Sequence, residues 1–113
     1  MRRTAPYNCA VPIRIVIAED NALLRDGLAR LISSTDGFEL AGISANYDEL
    51  LALVEETVPD VVVTDIRMPP TGTDEGIRAA AVLRSSHPEV GVIVLSQYVS
   101  PAYAMSLLAQ GSE

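Results

Sequence analysis

Three acids stand where two apolar runs stop. Val61-Val62-Val63-Thr64 ends in Asp65, and the segment that follows, Ile66-Arg67-Met68-Pro69-Pro70, cannot continue a strand. Ile13 to Ala18 is a run of the same kind, and it ends in Glu19 and Asp20. If both runs are strands of one buried sheet, three carboxylates reach one edge of it. Two carboxylates about 4 Å apart repel by about 4 kcal/mol at an effective dielectric of about 20, and a third adds to this. Protonating one acid would relieve the repulsion. At neutral pH a divalent cation does so, and hard oxygen ligands suit Mg²⁺, which keeps several waters in its octahedron. No His or Cys lies nearby in sequence to point to zinc or another transition metal. A carboxylate beside such a cation can attack phosphorus and form an aspartyl phosphate. Ser96, at the end of a further apolar run, could donate a hydrogen bond to one of the phosphoryl oxygens. Taken singly, Asp65 reads equally well as a loop-bonding acid and Ser96 as a turn residue; it is their convergence that describes a site.

Convergence requires the right elements between them. Strand one, Ile13 to Ala18, is apolar on both faces and suits the middle of a parallel sheet. From Asn21, the residues Leu24, Leu28, Leu31 and Ile32 follow helical spacing, and Asp36-Gly37 stops the helix. Phe38 to Ile43 is a second strand. Asn46 with Glu49 forms a capping pair for a helix whose apolar stripe, Tyr47, Leu50, Leu51, Val54 and Val58, ends at Pro59. Strand three is Asp60 to Asp65, followed by a loop rich in proline, threonine and glycine, with Thr71 or Thr73 as the cap of helix three. That helix carries a thin stripe, Gly76, Ile77, Ala80 and Leu83, and stops before His87-Pro88. Val90 to Leu95 is strand four, and Ser100-Pro101 opens a fourth helix with Ala104, Leu107 and Leu108 facing inward. The alternation predicts a doubly wound parallel α/β sheet with right-handed crossovers. In such sheets ligands bind beyond the carboxyl ends of the strands, where Glu19, Asp20, Asp65 and Ser96 all fall.

Composition narrows the function classes. The chain has 113 residues, 49% of them hydrophobic, and a formal net charge of −7, so it repels nucleic acid in the absence of a basic patch. No such patch exists: the eight basic residues are scattered, and all are arginine. The single cysteine, Cys9, forms no internal disulfide and suits a reducing cytoplasm. No apolar stretch approaches the roughly 20 residues that span a bilayer, so no membrane role is expected, and residues 1–12 read as an N-terminal tail.

At this point the motifs reach a family. Glu19-Asp20-Asn21, the run from Val62 to Pro69, and Val94-Leu95-Ser96-Gln97-Tyr98 resemble the receiver domain of two-component response regulators. Met68-Pro69-Pro70-Thr71, Thr73-Asp74-Glu75-Gly76 and Leu95 to Ala104 are similar to its LuxR/NarL-type subgroup, and arginine without lysine among many Ala and Val looks like a GC-rich, actinobacterial gene. The resemblance covers about residues 13 to 113. It implies a flavodoxin-like (CheY-like) sheet with four strand-helix units present and the fifth strand and helix missing. It implies that Asp65 accepts a phosphoryl group from a sensor histidine kinase or a small phosphodonor. Asp20, Asp65 and the backbone carbonyl of Arg67 would ligate Mg²⁺, Glu19 acting mainly through water, while Ser96 would follow the phosphoryl group and bias strand four and helix four toward an active state. The chain would then be a phosphorylated cytoplasmic signalling domain rather than a turnover enzyme. It would regulate transcription, touching DNA only through an output domain absent from it.

The pattern also breaks. Receivers continue into a fifth strand that ends in lysine and carries an aromatic switch residue, a position that neither Tyr98 nor Tyr103 matches. A charge-assisted hydrogen bond of the lysine type contributes about 1.5 to 3 kcal/mol, so phosphoryl stabilisation should suffer more than metal binding. The chain is therefore expected to be a truncated receiver whose strand four, as an open apolar edge, drives a homodimer or an edge-paired or swapped oligomer. The alternative is a phosphorylation-independent interaction or dimerisation module of receiver shape. A haloacid-dehalogenase-like phosphatase is remote, since it needs an acid where Arg67 stands, and a nucleotide-binding module is weaker still, since no glycine loop follows strand one. His87 reads as a surface residue, and Arg67 as either a tuner of access to Asp65 or a solvated loop residue.

Overall fold

A computed structural model describes residues 11–96; the expected tail as far as residue 10 and the fourth helix lie outside the described residues. Seven elements follow one another: β1 (Ile13–Ala18), α1 (Ala22–Ser33), β2 (Phe38–Ser44), α2 (Tyr47–Thr57), β3 (Val61–Asp65), α3 (Glu75–Ser86) and β4 (Gly91–Leu95). All strand pairs are parallel, in the order β2-β1-β3-β4, which is the expected doubly wound, CheY-like sheet. The carriers of the acids, β1 and β3, are the two inner strands. Their double-sided burial explains the near-continuous apolar runs, with Val16, Ile17 and Val62 fully buried.

Helices α1 and α2 begin where a side chain satisfies their free amides. Asn21 Oδ1 accepts from the amides of Leu23 and Leu24, both at 3.0 Å. Asn46 Oδ1 accepts from the Glu49 amide at 2.8 Å while Glu49 reaches back to the Ala45 amide at 3.0 Å, so the expected capping pair is present. Helix α2 closes on Val58, a β-branched residue held at φ 44°. The Arg14 guanidinium binds the carbonyls there, donating to Thr57 O at 2.6 Å and Val58 O at 3.2 Å. At α3 the expectation is corrected. Asp74 is the N-cap residue and makes no side-chain cap bond, because Thr71 and Thr73 turn to Glu75 instead.

The two faces of the sheet are unequally covered. On one, α2 and α3 enclose a cluster that includes Val16, Leu50, Val54, Val62, Met68 and Leu83. On the other, α1 packs Ile32 over Ile15 and Ile17. Among the described residues nothing covers the rest of that second face, so Ile93 is 51% exposed and Leu24 is 41% exposed. Leu31, which shares the helical spacing of Leu24, Leu28 and Ile32, lies 63% exposed. Strands three and four start one residue later than expected, at Val61 and Gly91. Among the described residues no helix is long and apolar enough to cross a membrane.

Candidate functional site

Parallel pairing places Ala18 opposite Thr64, so the chain leaves the sheet at Glu19 and Asp65 side by side. One carboxylate oxygen from each of Glu19, Asp20 and Asp65 lies within 4.8 Å of the others. Glu19 and Asp65 are buried, at 3% and 8% exposure, while Asp20 faces solvent. The structure thus brings together the three acids singled out in the sequence. Glu19 Oε2 accepts from the Asn21 amide at 3.1 Å, and Asp65 Oδ1 from the Ile66 amide at 2.9 Å. These amide bonds do not offset desolvation. Burial, reinforced by the negative charges of Asp65 and Asp20, pushes the Glu19 carboxyl up to about 7. Burial, with Asp20 adding to it, also raises Asp65 above the usual carboxylate range, against the Ile66 amide and the Arg67 charge, which pull it down.

Ser96 lies one residue past Leu95, the partner of Asp65 in the sheet. With Glu19, Asp65, Leu24, Leu28 and Leu95 it lines a mostly apolar cavity of about 290 Å³ beside the acids. Arg67 is exposed, two residues beyond Asp65. Arg25, which sequence reasoning passed over, donates from Nη1 to the carbonyls of Glu19 at 2.9 Å and Asp20 at 3.4 Å, holding the backbone under the acid pair. Its signal was an arginine one turn into a helix that is capped directly after two acids.

The loop after Asp65 is also fixed more firmly than its composition suggests. Pro69 O accepts from the Tyr47 amide at 3.0 Å. Gly76 presses against the end of β3: its amide donates to Ile66 O at 2.7 Å, and a Cβ there would stand 1.9 Å from Asp65 O. Beside it Glu75 is fully buried. Burial would raise its carboxyl, but hydrogen bonds from the Thr71 hydroxyl and amide and from the Thr73 amide prevail and hold it down at about 2. His87, expected at the surface, has a side chain only 15% exposed, with Nε2 3.4 Å from Glu55.

The donor set fits a hard divalent cation. It offers three carboxylates and no sulfur or imidazole, two of them desolvated and one toward water, where a partly hydrated Mg²⁺ keeps its remaining ligands. An open parallel α/β sheet with such an acid triad at its carboxyl edge and a serine just past the next strand is the architecture of a signalling receiver. The chain belongs to the response regulator receiver domain family, whose sequence profile matches residues 15–113. Over 100 residues it is 31% identical to Response regulator GacA of Pseudomonas viridiflava, covering 88% of this chain and 45% of that protein. It is 30% identical over 101 residues to Oxygen regulatory protein NreC of Staphylococcus haemolyticus, covering 89% and 46%. The chain therefore spans less than half the length of these relatives. Among solved structures, the signal receiver domain of the putative response regulator NarL from Mycobacterium tuberculosis superposes with a TM-score of 0.79 at 32% identity, covering 88% of this chain and 78% of that one. These relatives bear out the expected LuxR/NarL-type kinship.

Proposed function

We propose that Asp65 is the phosphoacceptor of a two-component response regulator, with the domain running from about residue 13 to residue 113. The observation that carries this reading is the clustering of Glu19, Asp20 and Asp65 within 4.8 Å at the sheet edge. A carboxylate oxygen of Asp65 attacks phosphorus in line with the leaving group. An acyl-phosphate bond forms, and the P–N bond to the kinase's histidine breaks, its electron pair returning to the imidazole. Mg²⁺, held by Asp20, Asp65 and the Arg67 carbonyl with Glu19 acting through water, would neutralise charge on the transferring oxygens. The Ile66 amide, 2.9 Å from Asp65 Oδ1, orients the nucleophile, and the apolar walls of Leu24, Leu28 and Leu95 limit water beside it. Ser96 donates to a phosphoryl oxygen and carries the change into β4. Each transfer consumes one carboxylate, so the domain switches rather than turns over. The partners are a sensor histidine kinase, a second copy of the chain, and DNA through an output domain outside these residues. The setting is the cytoplasm.

Intact-mass measurement after incubation with acetyl phosphate and Mg²⁺ tests the reading. One phosphoryl adduct is expected on the wild-type chain and none on Asp65→Asn; no adduct on either sinks it. A second reading is a phosphorylation-independent interaction domain of receiver shape. It requires partner binding to be the same in the wild type and in Asp65→Asn.

A further inference from the structure

We propose that Glu75 is a positioning residue of the acidic site, the post by which the loop from Arg67 to Asp74 is held so that its Arg67 carbonyl is presented to the acids. The proposal rests on the metal reading above and assigns a role to a residue that reading leaves idle.

The observations are geometric. Glu75 has no exposure, yet it is ionic and sits in the first turn of α3, where acids ordinarily face water. Its two oxygens divide the work. Oε2 accepts from the Thr71 amide and hydroxyl and lies 3.1 Å from Arg78 Nη2, while Oε1 accepts from the Thr73 amide at 3.1 Å. Bonds to a buried charge are among the stronger ones a side chain makes. Arg78 in turn lies 5.1 Å over the Tyr47 ring, and the Tyr47 amide donates to Pro69 O at 3.0 Å. The connections close a circuit from the loop through α3 and α2 back to the loop. Downstream, Gly76 locks α3 to Ile66 O at 2.7 Å, so the loop is anchored at its exit by the residue next to Glu75. What Glu75 adds is the fold of the span between Met68 and Asp74.

The chemistry specifies carboxylate. Both oxygens must accept, and a glutamine of the same size would turn its NH₂ against a donor on one side. The partners supporting metal ligands typically alter metal affinity when lost, which separates positioning from bulk stability.

The test uses the full chain with Mn²⁺ as the probe, free Mn²⁺ being read by electron paramagnetic resonance, alongside thermal melting. Glu75→Gln should weaken Mn²⁺ binding roughly tenfold, a size seen when outer-shell partners are removed. Thr71→Val, which deletes the hydroxyl's bonds to Glu75 and to Thr73 Oγ1 at 2.7 Å and keeps the Thr71 amide bond, should weaken it by roughly threefold, in line with the loss of neutral hydrogen bonds. Leu83→Ala, a cavity in the same helix away from the loop, should lower the melting temperature and leave Mn²⁺ affinity unchanged. Wild-type affinity in Glu75→Gln overturns the proposal, or in Thr71→Val if the glutamine variant does not fold. So does an equal loss in Leu83→Ala, which would make the effect one of stability. If the wild type itself binds no Mn²⁺, the metal reading falls and takes this proposal with it; wild-type binding with unaltered variants removes the proposal alone.

Discussion

At the scale of single residues, Gly76 decides more about the site than its lack of a side chain suggests. A methyl group there would meet Asp65 O at 1.9 Å, Asp65 C at 2.8 Å and Ile66 Cα at 2.9 Å, all backbone atoms that have no rotamer to escape by. Gly76→Ala must therefore push α3 off the end of β3. We expect it to cost about 3 kcal/mol or more, the range of severe core overpacking, and to weaken Mg²⁺ binding as well. Urea unfolding of the variant checks the first expectation; a change in midpoint equal to that of an ordinary exposed Gly→Ala substitution would contradict it. The sequence shows Gly76 only as a small residue in a thin helical stripe. Glu75 was harder still to read. An acid followed by glycine at a helix start looks like a solvated first turn, and its burial depends on Thr71 and Thr73 folding back over it, which no local pattern states. The three acids at the sheet edge, by contrast, were legible, because an apolar run that stops at a carboxylate marks its own end.

At the scale of elements, β4 is the one least supported. Among the described residues it pairs on one side only, with β3, and its residue Ile93 is 51% exposed on the face that α1 does not reach. Exposed apolar edges recruit further strands. We expect the 113-residue chain to self-associate with rising concentration in light scattering, and Ile93→Lys to reduce this by placing a charge on the edge. Equal association in the variant would exclude this surface. The legibility of elements had a clear limit here. Helical spacing correctly placed α1, but of the residues in its apolar spacing only Ile32 is buried, while Leu24 and Leu31 are exposed. Spacing tells which residues share a side of a helix, and only the packing tells how far the sheet extends beneath it.

At the scale of the whole molecule, the buried acids set a pH dependence with two signs. The folded-state carboxyl of Glu19 is raised from 4.5 to about 7, so its contribution is full below the unfolded value and is lost as pH rises between them. Asp65 is raised too and acts in the same direction. Glu75 is lowered from 4.5 to about 2, so its contribution is present above the unfolded value and is lost as pH falls toward the folded one. Without metal, the urea midpoint should be highest near the unfolded carboxylate values and decline toward pH 7. If Mg²⁺ binds the ionised acids as proposed, saturating Mg²⁺ should oppose that decline. A metal-free midpoint that rises steadily from pH 4.5 to 7 would contradict the burial-driven shift at Glu19.

The sheet order has one more consequence. The three carboxylates follow the two inner strands, whereas Ser96 follows β4, an outer strand among the described residues. Inner strands open last in native-state hydrogen exchange and outer ones earlier. The site is therefore split between a slow half and a fast half. On the proposed reading, a change of charge at Asp65 would be made on the slow half and registered through Ser96 on the fast half.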